Sequence, residues 1–250
     1  MMPTEIDMPN PEDTGSPAAT SRPPLRTWDF METLFVSLIA YGVYTLTAGL
    51  ALTLMPAMPD WTTTLSSVQF QVLGAAYIVA SPLTIAVLWI AVQMAGRDFV
   101  EYLALNWPSP GELLRALAIM AMILFAESLA GYAIGEKQTV MNSFAGARQS
   151  GGFLVLLIGG CVAAPIMEEF VVRGFMLRGW SQSFLGPAGA IVLTSALWGM
   201  IHTQYDWFGR FCIFVMGLAL GHFRWRANST WLAVMVHSSI NIFLFFAISL

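Results

Sequence analysis

The chain has 250 residues, 57% hydrophobic and 10% charged, with a mean hydropathy of +0.68 and a formal net charge of −4. Soluble domains carry about 25% charged residues, so this composition excludes that class. The absence of a basic stripe excludes a nucleic-acid binder. The long apolar runs do not alternate with polar residues, which excludes a transmembrane β-barrel and leaves an all-α, polytopic bundle of about seven to eight helices.

Residues 1–27, "MMPTEIDMPNPEDTGSPAATSRPPLRT", are rich in Pro, Ser, Thr and acids. They read as a disordered tail without the apolar core of a cleavable signal peptide. One membrane domain is expected over 28–250. Its predicted hydrophobic helices are 31–55, 68–95, 113–134, 152–180, 187–203, 211–223 and 230–249. Ser81-Pro82 falls inside the second, where a membrane helix tolerates a kink. The stretch 97–112, "RDFVEYLALNWPSPGE", reads as an amphipathic interfacial connector anchored by Trp107, and 135–151 as an exposed polar loop. Gly217 and Gly221 make a small-x-x-x-small pair that allows close helix packing. Cys161 and Cys212 form no C-x-x-C pair and read as small buried residues.

Orientation follows from where Lys and Arg fall. A cytoplasmic N-terminus puts Arg22, Arg26, Arg97, Arg115, Arg173, Arg178, Arg224 and Arg226 inside, against Lys137, Arg148 and Arg210 outside. The "NST" at 228–230 then faces the cytoplasm and reads as a chance glycosylation match.

Charge and imidazole inside the apolar runs are the informative exceptions. An ionised side chain at the bilayer centre costs about 2.5–3.5 kcal/mol on insertion scales, so each needs a partner or a wet cavity. In "APIMEEFVVRGF", Glu169 and Arg173 are one helical turn apart and can neutralise each other, while Glu168 has no local partner. "SALWGMIHTQ" sets Trp198 and His202 four apart, and "VMVHSSINIF" does the same for His237 and Asn241. A hairpin turning near Ser183-Phe184 brings His202 level with Glu168 or its neighbour. A straight count leaves His237 about 9 Å too shallow. Glu127 in "ILFAESLAGY" is a further intramembrane acid that reads as pairing with another helix or shaping the cavity, and His222 as interfacial.

A carboxylate, two imidazoles and a carboxamide make a hydrolytic set: base for water, orienting or protonating group, oxyanion donors. Glu168, His202 and His237 could instead hold Zn²⁺ with an open position for water, and the residues alone do not separate the two.

These motifs resemble the type II CAAX prenyl endopeptidase family, also called CPBP or Abi. "EEFVVR" matches its E-E-x-x-x-R motif, "WGMIH" its F-x-x-x-H motif with Trp198 in place of phenylalanine, and "HSSIN" its H-x-x-x-N motif. The ordered set spans about residues 152–245. The resemblance implies a membrane-embedded glutamic endopeptidase. Glu168 would be the base, Glu169 and Arg173 its support, His202 the water-positioning partner, and His237 with Asn241 the oxyanion donors. Trp198 would lie against the substrate. No cofactor is implied first, with zinc as the alternative. The expected partners are a membrane-associated protein or peptide substrate and the bilayer, with no nucleic acid. The implied setting is a bacterial inner membrane, with the site open to the cytoplasm.

Other intramembrane proteases fit less well: there is no G-x-S-x-G turn, no G-x-G-D partner for Asp206 and no H-E-x-x-H. A non-proteolytic regulator that uses the same scaffold to bind membrane proteins is the alternative of a different class. A transporter would also explain buried Glu and His, but should show a repeat or paired broken helices.

Overall fold

The computed structural model describes residues 28–53, 67–135 and 153–247. The tail 1–27 and nearly all of the polar loop, with Arg22, Arg26, Lys137 and Arg148, therefore lie outside the described residues. The helices are α1 (Phe30–Thr53), α2 (Ser67–Met94), α3 (Phe99–Tyr102), α4 (Pro110–Ile134), α5 (Phe153–Ser181), α6 (Gly186–Ile201), α7 (Trp207–Ala227) and α8 (Thr230–Ala247). The architecture is the all-α bundle expected from the sequence. Four helices, α1, α2, α4 and α5, are long and apolar enough to cross a membrane. Their outer faces show large apolar side chains such as Phe35, Leu46, Trp89, Met122 and Phe125, suited to lipid.

The caps explain where the helices begin. Ser109 and Glu112 form a reciprocal capping box ahead of Pro110, so α4 starts three residues earlier than its hydrophobic pattern suggests. Asp206 Oδ1 accepts from the Gly209 amide and starts α7 at Trp207, four residues before the predicted boundary. Asn228, in the left-handed region at φ 45°, ends α7.

The connector 97–112 departs from expectation. It does not lie wholly at the interface. Only Phe99–Tyr102 is helical, and Tyr102, Leu103 and Ala104 are buried in the end of the bundle. The backbone there captures the start of α8: Thr230 N–H donates to Ala104 O, and the Ser229 and Thr230 hydroxyls donate to Asn106 O and Leu103 O. Trp107 stays exposed and stacks on Trp231 at 5.3 Å.

α5 is the central element, and two stretches of it, Gly159–Ala163 and Phe170–Met176, are π-helical. A π turn widens the backbone ring to i→i+5 and disturbs the carbonyl ladder. Carbonyls in both stretches accept side chains from other helices. Gly160 O takes Asn241 Nδ2 of α8 at 3.0 Å, Ala163 O takes Ser81 Oγ of α2 at 3.0 Å, and Arg173 O takes Arg224 Nε of α7 at 2.9 Å. Ser81, beside the helix-breaking Pro82, also bonds Tyr77 O, so α2 runs through its proline tied to α5.

Close crossings use glycine. A Cβ on Gly74 would lie 2.6 Å from the Val155 backbone, so α2 and α5 touch main chain to main chain. Gly217 of α7 meets Ser195 of α6, and Gly221 meets Ile191, as the small-residue pair predicts. Gly74→Ala should therefore lower thermal stability in detergent by about 1–3 kcal/mol through overpacking. Gly42→Ala, whose new methyl meets nothing within 4 Å, should be neutral or slightly stabilising. Equal shifts in melting temperature for the two variants would contradict the crossing.

Candidate active site

α5 carries Glu168, Glu169 and Arg173 on adjoining faces at its second π stretch. Glu169 and Arg173 are both fully buried. Arg173 Nη1 donates to Glu169 Oε1 at 3.0 Å, and His237 Nδ1 of α8 lies 2.8 Å from the same oxygen. Arg173 Nη2 also donates to Gly217 O at 3.3 Å. A buried carboxylate is therefore met from α5 and α8, and its cation is fixed to α7. This is how the membrane interior tolerates the charge.

The predicted depth mismatch of His237 disappears because α8 does not begin at the surface. Ser229 and Thr230 are fully buried beneath the α3–α4 connector, so α8 starts several ångströms inside. Seven residues, about 10 Å of rise, then carry His237 to the level that α5 reaches about 18 Å from its end at Ser181.

α6 supplies Trp198 and His202. With 16 residues it rises about 24 Å, less than the roughly 30 Å hydrocarbon core. At its end the His202 amide turns to Gly199 O, so the Trp198 carbonyl loses its usual helical donor. His202 Nδ1 takes that place at 2.6 Å. Because a carbonyl only accepts, Nδ1 is the protonated nitrogen of this contact, and Nε2 is the nitrogen left for the site. The same logic puts a proton on His237 Nδ1 facing Glu169.

Trp198 lies among all of these groups and is 2% exposed. Its Nε1 donates to Glu168 Oε2 at 2.7 Å. Its ring meets His202 edge-on at 5.0 Å and His237 at 5.3 Å, and the Arg173 guanidinium lies 4.3 Å from its centroid. The indole is thus enclosed by polar groups and holds Glu168, which is only half-buried. Asn241, one turn beyond His237, is half-buried and spends one N–H on Gly160 O.

Six of the seven residues singled out in the sequence are linked by these contacts around α5, α6 and α8, while Asn241 is tied to α5 through Gly160 O. The sequence reading missed the tyrosines. Tyr41 and Tyr44 of α1, Tyr77 of α2 and Tyr205 after α6 lie within electrostatic reach of Glu168. The available signal was the "YGVY" spacing, which sets two phenols on one side of an otherwise apolar helix. Glu127 lies apart on α4, and Asp206 serves as a helix cap.

Among the described residues, no three His, Cys, Asp or Glu side chains converge as a metal-binding set. Glu168 Oε2 and both Nδ1 atoms already have protein partners. A zinc ion would have to be held through the atoms these contacts leave over, Glu168 Oε1 and the two Nε2 atoms.

Residues 150–243 match the family described as type II CAAX prenyl endopeptidase Rce1-like. That segment, which holds every site motif, is similar to this family, a likeness that supports a CAAX-type intramembrane protease kind of function, and the long apolar helices support an integral membrane protein. No curated protein and no solved structure matches the chain significantly.

The buried pair gives a direct stability prediction. Arg173→Ala should destabilise the protein by about 3–5 kcal/mol in detergent, because it strands Glu169 without its guanidinium. The double variant Glu169→Gln/Arg173→Met should recover part of that loss. A double variant less stable than Arg173→Ala would contradict the pairing.

Proposed function

We propose that this chain is an intramembrane endopeptidase that hydrolyses a peptide bond in a membrane-associated protein or peptide, with Glu168 activating water. The observation that supports this reading most is the 2.7 Å bond from Trp198 Nε1 to Glu168 Oε2. It fixes a half-buried carboxylate beside two imidazoles while leaving its other oxygen for water.

In this reading Glu168 takes a proton from water as the oxygen attacks the substrate carbonyl. A C–O bond forms, and the carbonyl becomes a tetrahedral oxyanion. In this reading His237, held through Nδ1 by Glu169, and Asn241, through its second amide N–H, are the oxyanion donors. His202 orients the water through Nε2. As the C–N bond breaks, the proton held by Glu168 passes to the leaving nitrogen, which gives a carboxylic acid and an amine that then exchange a proton to become carboxylate and ammonium. Glu169 and Arg173 act through His237 and Trp198 as positioning residues. Trp198 orients Glu168 from beneath and does not itself touch substrate. No step needs a metal.

Arg97, Arg115, Arg178, Arg224 and Arg226 lie at the end of the bundle where α5 and α7 finish and α4 and α8 start. By the positive-inside rule this clustering supports a cytoplasmic placement of that end, as the proposed inner-membrane protease would need.

Glu168→Gln and His202→Ala should each lower cleavage of a membrane peptide substrate by at least about 100-fold. Trp198→Phe should cost about tenfold, and all three variants should remain monodisperse in detergent. A strong chelator should leave the wild-type rate unchanged. Wild-type cleavage by Glu168→Gln would refute the proposal. Intact cellular function in that variant would point instead to a non-proteolytic regulator.

A further inference from the structure

A second polar site lies at the Arg-rich end of the bundle. A cavity of about 310 Å³ opens between the ends of α5 and α7, lined by Leu177, Arg178, Ser181, Arg224, Trp225 and Asn228. Two of its six lining residues are arginines. The ion pairs among the described residues are Arg97–Glu101 and the two that converge on Glu169, so neither Arg178 nor Arg224 is paired with a carboxylate there.

Arg224 is the more demanding of the two. It is 3% exposed. Its Nε donates to Arg173 O at 2.9 Å and its Nη1 to Asn228 Oδ1 at 3.4 Å, while Nη2 has no partner among the described residues. Arg178 Nε is likewise buried and unpartnered. Withdrawing a guanidinium from water without a counter-charge is costly. Carbonyls at helix C-termini offset part of that cost. Two such groups on one cavity leave a net requirement for an anion. The guanidinium fork matches phosphate oxygens in bidentate geometry, and Ser181 and Asn228 add neutral hydrogen-bonding groups to the wall.

The location identifies the source of the phosphate. Trp225, on the cavity wall, is 42% exposed, and Trp107, at the same end of the bundle, is 71% exposed. Exposed tryptophans mark the headgroup level of a bilayer, so the cavity opens where lipid phosphates lie. Leu177 and the Trp225 ring supply an apolar flank for a glycerol backbone.

We propose that the Arg178–Arg224 cavity binds the phosphate group of an anionic phospholipid. The site is separate from Glu168, and the inference holds whether or not the chain cleaves peptides. Arg224 bridges the two regions, because the carbonyl it holds belongs to Arg173. An anion on Arg224 thus fixes the segment that presents Glu169.

The test is native mass spectrometry of the full chain with phosphatidylglycerol and phosphatidylcholine of identical acyl chains, with inorganic phosphate as competitor. Phosphatidylglycerol should be retained about fivefold over phosphatidylcholine, and Arg178→Gln should remove that preference. The melting temperature without lipid should change little in this variant, since among the described residues the Arg178 side chain makes no hydrogen bond to another helix and only a distant contact, 6.0 Å, with the Tyr102 ring. Arg224→Gln is the less useful variant, because it frees Arg173 O and can unfold the protein by itself. Equal retention of the two lipids, or a preference that survives Arg178→Gln, overturns the proposal. Arg178-dependent stabilisation by inorganic phosphate without lipid preference also overturns it, and assigns the cavity to a soluble phosphate ester.

Discussion

A carboxylate with no water around it must be met by positive charge, and in this protein Glu169 imposes that condition on three helices. Arg173, one turn along α5, and His237, from α8, converge on a single oxygen of Glu169. The Arg173 guanidinium also holds a carbonyl of α7. None of these contacts tolerates displacement by a helical turn, so the ionic cluster sets the register of α5, α7 and α8 together. Apolar packing alone would permit neighbouring registers, since lipid tails and leucine side chains are nearly equivalent solvents for one another.

Trp198 converts that fixed frame into a site. It occupies the position where the family motif has phenylalanine, and an indole offers what a phenyl ring cannot: an N–H aimed at Glu168. Its faces and edges are used as well, with Arg173 near the ring centroid and both imidazoles approaching edge-on. The tyrosines of α1 and α2 lie within electrostatic reach of Glu168, from helices outside the matched segment.

Much of this was legible in the sequence because charge is rare in an apolar chain. Glu168, Glu169, Arg173, His202, His237 and Asn241 stood out by cost alone, and four-residue spacings assigned their faces. The depth of His237 was not legible. It depends on α8 starting beneath the α3–α4 connector, held by hydroxyl and backbone bonds from Ser229 and Thr230, residues that look like an ordinary loop. The burial of Tyr102–Ala104 was hidden for the same reason, since four helical residues leave no periodicity to read. The π turns of α5 carry no clear pattern either, although the free carbonyls they present explain why Ser81, Asn241 and Arg224 matter to a helix other than their own.

The central claim is that an acid from α5 and an imidazole from α6 act on one water molecule. A double-mutant cycle on the cleavage rate, combining Glu168→Gln with His202→Ala, measures this most directly. If both groups serve the same water, the double variant will be about as slow as the slower single variant. Losses that multiply would mean that the two residues act independently, and the shared site would have to be abandoned.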